Sequence, residues 1–158
     1  MHSKGHWGLA LLLMSIIAIP FGFGPNNIII LIVLFTAFLS TIPDIDIHFE
    51  IAHRTFTHNV FFALLVAVIL GILFGFIGGI ELISIGFIAG FMGIMTHLLG
   101  DLMTYKEFKP FAPLSQIQIS WCWFPAESET ANIGFFVSGW IAFFIYILIT
   151  SEVLSSFL

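Results

Sequence analysis

Apolar residues in this chain gather into five long runs, and nearly all the polar residues sit between them. The first run goes from Trp7 to about Phe23, after a polar start holding His2, Lys4 and His6, and it closes in Pro20, Gly22, Gly24 and Pro25. A second spans about Asn26 to Ile42 and stops at Pro43, and a third, from about His58 to Ile80, carries no charge. A fourth runs from about Leu82 to Leu102 and a fifth from about Ile133 to Thr150. A helix needs about 20 apolar residues to cross a bilayer, so the pattern predicts an all-α integral membrane protein, a bundle of about five transmembrane helices. Five spans put the two termini on opposite sides. Lys4 followed by the first run also fits a secretory leader, but no small-x-small cleavage site precedes Asn26, so a retained span is expected.

The connections are unequal. Residues 22–27 and 78–81 make tight turns, whereas 43–57 (PDIDIHFEIAHRTFT) and 104–132 hold most of the polar groups. From Gln116 to Trp121 polar and apolar residues alternate with the period of a strand. With Trp121, Trp123 and two flanking prolines, the stretch 110–125 reads as a hairpin or loop lying at the membrane interface, with a lid over a site as its second use. Gly71, Gly75 and Gly79 share one helical face and Gly86 and Gly90 repeat the spacing, which predicts close packing of the third and fourth spans.

Composition narrows the class further. Of 158 residues, 59% are hydrophobic and 8% charged, with a mean hydropathy of +1.13. Soluble domains carry about a quarter charged residues, so a soluble fold and disorder are both excluded. With four Lys or Arg against nine Asp or Glu, nucleic acid is excluded as a partner of the usual kind. The length leaves room for a single membrane-embedded domain over 1–158 and no separate soluble one. The expected partner is a membrane lipid or amphipathic substrate, and the pattern leaves room for a homo-oligomer. Lys4, Arg54, Lys106 and Lys109 all fall on the face that holds the N-terminus and both polar connections. The positive-inside rule makes that face cytoplasmic in the cell's inner membrane, with the C-terminus outside. One cysteine, Cys122, excludes a disulfide framework and a thiolate zinc site.

The same face collects His6, Asp44, Asp46, His48, His53, His58, His97 and Asp101. Ionisable groups at membrane depth are costly unless they pair, line a cavity or bind an ion. His97 and Asp101 are four apart and share a helical face, as neighbouring ligands would. Simpler roles exist for some: Asp44 can cap the turn after Pro43, Asp101 can pair with Lys106, His48 and Glu50 can be solvated, and His2 sits at a fraying end. Nitrogen and oxygen donors without thiolate suit zinc, with manganese or iron as alternatives, and bridging carboxylates allow one or two divalent ions. Arg54, inside the stretch HRTFTH, can clamp an anionic substrate group or pair with Asp46 or Glu50.

At these residues the sequence resembles the YdjM-like family of membrane-bound metal-dependent hydrolases. The resemblance covers most of the chain and rests on Gly5-His6, IPDID at 42–46, HRTFTHN at 53–59, THLLGDLMT at 96–104 and the Pro-flanked aromatic stretch beyond. It implies a metal centre built from His6, Asp44, Asp46, His53, His58, His97 and Asp101. Tyr105, Lys106 and Glu107 after Thr104 depart from the family's usual Thr-Pro-x-Gly turn, and the connection from Asp46 to His53 is compact. The His-x-x-x-Asp pair of His97 and Asp101 is also similar to an element of zinc-dependent phospholipase C and three-zinc nucleases, which tilts the expected substrate toward phosphoesters. The leading reading is therefore a hydrolase of a lipid-borne phosphoester or ester through metal-activated water, with Asp44, His53 and Arg54 as its catalytic candidates. A non-catalytic metal sensor or carrier and a haem protein with His58 and His97 as axial ligands are the rivals.

Overall fold

A computed structural model of the chain describes residues 1–19, 27–44 and 57–150. It contains α1 (Ser3–Ala18), α2 (Asn27–Leu39), α3 (Val60–Gly78), α4 (Ile80–Leu102) and α5 (Glu129–Thr150), and no strand among the described residues. At 1.5 Å per residue, α3, α4 and α5 match a hydrocarbon core of about 30 Å, and all three are apolar enough to cross it. Helices α1 and α2 are apolar but shorter, and α2 runs on through a turn at 40–41 and a 3₁₀ turn at 42–44. Helix α5 starts four residues earlier than the apolar run because Glu129 to Asn132 form its first turn, where a carboxylate complements the helix N-terminus.

Helices α1 and α5 pack closely, as do α3 and α4, and contacts of α4 with α2 and α1 join the two pairs. The apolar interior has two main parts. Leu11, Met14, Val33, Phe143 and Tyr146 fill the space between α1, α2 and α5, and Ala63, Ile94, Leu98 and Phe108 fill that between α3, α4 and the connection beyond α4. Glycines set the helix separations. A Cβ on Gly8 would run into the backbone of Phe135 and Phe136, and one on Gly139 into the backbone of Gly8. On the other pair, Gly86 lies against the Leu70 carbonyl and Gly90 against Ala67, as the glycine spacing predicts. Gly79 departs from that expectation: its surroundings are open and its φ is 78°, so it makes the α3–α4 turn instead of packing. A positive φ of this kind costs glycine nothing.

The 103–128 connection folds back over the end of α4. Trp121 and Trp123 donate backbone hydrogen bonds to the carbonyls of Leu102 and Met103 at 2.7 and 2.9 Å, and the Ser120 hydroxyl donates to the Thr104 carbonyl at 2.5 Å. Of the expected hairpin or loop, the backbone pairing present is two isolated bridges, Phe108 with Ile119 and Thr104 with Phe124. With no further strand to cover it, Ile117 stays 68% exposed, and the alternation has no buried face to support a sheet.

Candidate metal centre

The N-terminal ends of α1, α3 and α5 and the C-terminal ends of α2 and α4 meet at one end of the bundle, and this end holds the chemistry. His6 closes the first turn of α1 and is fully buried. Its ring lies on Gly100, where a Cβ would come within 2.9 Å of Nδ1, and stacks on the His97 ring at 3.8 Å and 15°. His97 and Asp101 project from the last turns of α4, Asp44 ends the 3₁₀ turn after α2, and His58 precedes Asn59 at the start of α3. The Asn59 side chain fixes that start by accepting from the Phe62 amide at 2.9 Å, an N-cap of the favoured type.

All three histidines turn Nε2 toward the two carboxylates. His6 Nε2 stands 3.5 Å from Asp101 and 3.9 Å from Asp44, His58 Nε2 3.5 and 3.8 Å, and His97 Nε2 3.7 Å from each. The Nε2 atoms of His58 and His97 are 3.1 Å apart. His97 Nδ1 must donate to the Ser40 carbonyl 2.7 Å away, since a carbonyl only accepts, and a neutral His97 then presents the Nε2 lone pair inward. His58 Nδ1 pairs with the Thr57 hydroxyl at 2.8 Å.

These donors fit a divalent cation. Two ligands about 2.0–2.2 Å from a shared ion stand roughly 2.8–3.6 Å apart at octahedral or tetrahedral angles, close to the 3.1–3.9 Å separations here. Among the described residues neither ring nitrogen of buried His6 has a hydrogen-bond partner, an unfavourable state that coordination through Nε2 would relieve for that nitrogen. Two carboxylates this close in a largely buried site also call for positive charge. The Met1 ammonium, 2.7 Å from Asp101, supplies part of it.

The cluster divides into two overlapping ligand groups, His6 with Asp44 and His97, and His58 with His97 and Asp101. His97 belongs to both, yet its only inward nitrogen is Nε2. One lone pair serves one ion, so His97 can belong to only one of the two groups when an ion is bound. Asp46, His53 and Arg54 of the sequence reading, with His48, lie outside the described residues. His2 is exposed and takes no part. The haem alternative meets a geometric obstacle: two nitrogens 3.1 Å apart and facing the same carboxylates leave no slot for a macrocycle between them.

Several supporting groups carried little or no signal in the sequence. Asn132 of α5 is fully buried, accepts from the His2 amide at 2.8 Å and donates to the carbonyls of Ser128 and Ala126 at 2.7 and 3.0 Å, so it ties the start of α1 to α5. Gly5 fits against it, as Gly100 fits against His6. A polar Asn entering an apolar run was the one readable hint. The Ser40 carbonyl is a backbone group and could not be read at all.

The family model described as YdjM inner membrane protein matches residues 1–156. No curated protein and no solved structure matches the chain.

Proposed function

The chain belongs to the YdjM inner membrane protein family, and from that premise we propose that it is a metal-dependent hydrolase acting on a lipid-borne phosphoester or ester at the membrane surface. The observation that carries this reading is the convergence of three buried histidine Nε2 atoms on Asp44 and Asp101, with both ring nitrogens of His6 left without hydrogen-bond partners among the described residues. His6, His58, His97 and Asp101 are sealed in protein and serve to hold the ion, zinc by the donor chemistry. Asp44 differs, because its side chain keeps 16% of its surface accessible. It is therefore the member of the cluster that meets an arriving substrate or water, and a carboxylate there can accept a proton as general base. The chemistry an ion would supply at this site is activation of water near neutral pH and polarisation of a phosphoryl or carbonyl oxygen.

In this reading α1 and α2 complete a five-span bundle, with the metal end and the N-terminus at the cytoplasmic face by the positive-inside rule. A carrier would need ionisable groups along the spans, and the midsections of the five helices hold no Asp, Glu, Lys, Arg or His. The test is turnover by metal-replete protein of a panel of phospholipids, polyprenyl phosphates and lipid esters. Hydrolysis of at least one member, abolished by Asp44→Asn and by His97→Ala, is the expected result. Turnover that survives His97→Ala, or none for any member, points to a non-catalytic metal-binding protein.

A further inference from the structure

Beside the metal centre, the first turns of α3 and the 109–116 turn enclose a groove of about 420 Å³. Its floor is apolar, formed by Phe61, Phe62 and Leu65, and its rim carries Lys109 and Gln116. Phe61 and Leu65 are nearly half exposed and face out of the bundle. Asn59 lines the inner end and directly follows His58, so that end lies one residue, about 3.8 Å between Cα atoms, from a member of the histidine cluster. From Asn59 to Leu65 the groove extends about 9 Å along α3 at the rise of a helix. The backbone hydrogen bond from Val60 to the Pro110 carbonyl, 2.9 Å, fastens its two walls together.

We propose that this groove seats a hydrocarbon chain of a phosphate-bearing lipid, with Lys109 taking the phosphate. Charge is the first argument. The chain has four Lys or Arg in all and a net charge of −5, yet one of the four stands at the mouth of an apolar groove next to a carboxylate-rich centre. Lys109 Nζ donates to Gln116 Oε1 at 2.9 Å and pairs with no carboxylate among the described residues, so its charge remains available to an anion while Gln116 holds it at the rim. Shape is the second. A volume in the range of ligand sites, apolar walls and a few polar groups at one end describe an amphiphile with its head at the surface and its tail along α3. In a bilayer the tail gains little from an apolar wall, because lipid is equally apolar, so selection falls on the phosphate and the groove sets direction. As the docking mode of a substrate, the proposal rests on the hydrolase reading. As a lipid site, it stands without turnover.

The test uses metal-replete full-length protein in phosphatidylcholine nanodiscs doped with a phosphatidate bearing a photoreactive diazirine on one acyl chain, or with the matching diazirine diacylglycerol. After irradiation, adducts are mapped by mass spectrometry. The expected result is labelling centred on Phe61, Leu65, Ala112 and Pro113, about fivefold stronger with phosphatidate than with diacylglycerol, as one cation near an anionic headgroup predicts. Lys109→Gln should bring phosphatidate down to the diacylglycerol level, and Leu65→Trp, which fills the groove, should displace labelling from Pro113 with both lipids. Adducts spread evenly over the lipid-facing sides of α2, α3 and α5, or labelling indifferent to both substitutions, overturn the proposal. Because no turnover is read, a failed hydrolysis panel leaves this result standing, and a failed labelling pattern leaves hydrolysis to be judged on its own.

Discussion

At the polar end of the bundle, three histidines and two aspartates from four stretches of chain face one another across 3.1–3.9 Å, whereas further into the bundle α1 meets α5 backbone to backbone at Gly8 and Gly139. The two regions join the same helices by different physics. In the apolar region nothing drives helices together except close packing, since lipid solvates leucine as well as protein does, and glycine permits the approach. At the polar end the two carboxylates repel and His6 goes unsatisfied by itself among the described residues, and a bound ion would turn the cluster into a tie. The packing should therefore hold the fold in any medium, and the cluster should add stability only when metal is present.

The sharpest way to break this comparison is to withdraw the ion. Chelation should lower thermal stability in detergent by about 4 kcal/mol if the ion is held at a thousandfold its Kd. An unchanged melting temperature after the metal has been shown to leave would remove the cluster's structural role. Next in size is Gly8→Leu, expected to cost about 3 kcal/mol or more by overpacking against the α5 backbone. The loss should be the same with and without chelator, and a metal-dependent loss would contradict the division drawn here. Asn132→Ala should cost about 2 kcal/mol, because it leaves the His2 amide and the Ala126 carbonyl without their side-chain partner, while the Ser128 carbonyl keeps the backbone amide of residue 132. By loosening the turn that carries His6 it should also weaken metal affinity about tenfold, which titration against a competing chelator would read. The smallest effect is expected from Lys4→Gln. Its ion pair with Glu129 at 3.7 Å joins two well-exposed side chains, so the change in stability should stay below about 0.5 kcal/mol.

What could be read in advance follows the same division. The apolar runs located all five helices, since a run without charge has no soluble alternative, and the gathering of His6, Asp44, His58, His97 and Asp101 at one face was visible from their positions at the run ends. The glycine spacing foretold how α3 and α4 meet. The failures have physical reasons as well. Alternation between Gln116 and Trp121 left a hairpin and a loop both open, because period two has force only where a partner buries one face, and Ile117 is 68% exposed. Gly79 matched the packing spacing yet sits where the chain reverses. The supporting shell was hidden because a backbone carbonyl such as that of Ser40, or a bare surface such as Gly100, is defined by which helices meet. No one-dimensional pattern records that.

The central claim is that His6, His58 and His97 close on one ion with Asp44 and Asp101. Elemental analysis of protein purified in detergent without added metal tests it most directly, comparing the native chain with His6→Ala and His97→Ala at matched folded fractions. The account predicts about one divalent ion per native chain and a near-complete loss in both variants. Metal content that is absent from the native protein even after incubation with zinc or manganese, or that both variants retain in full, would contradict it.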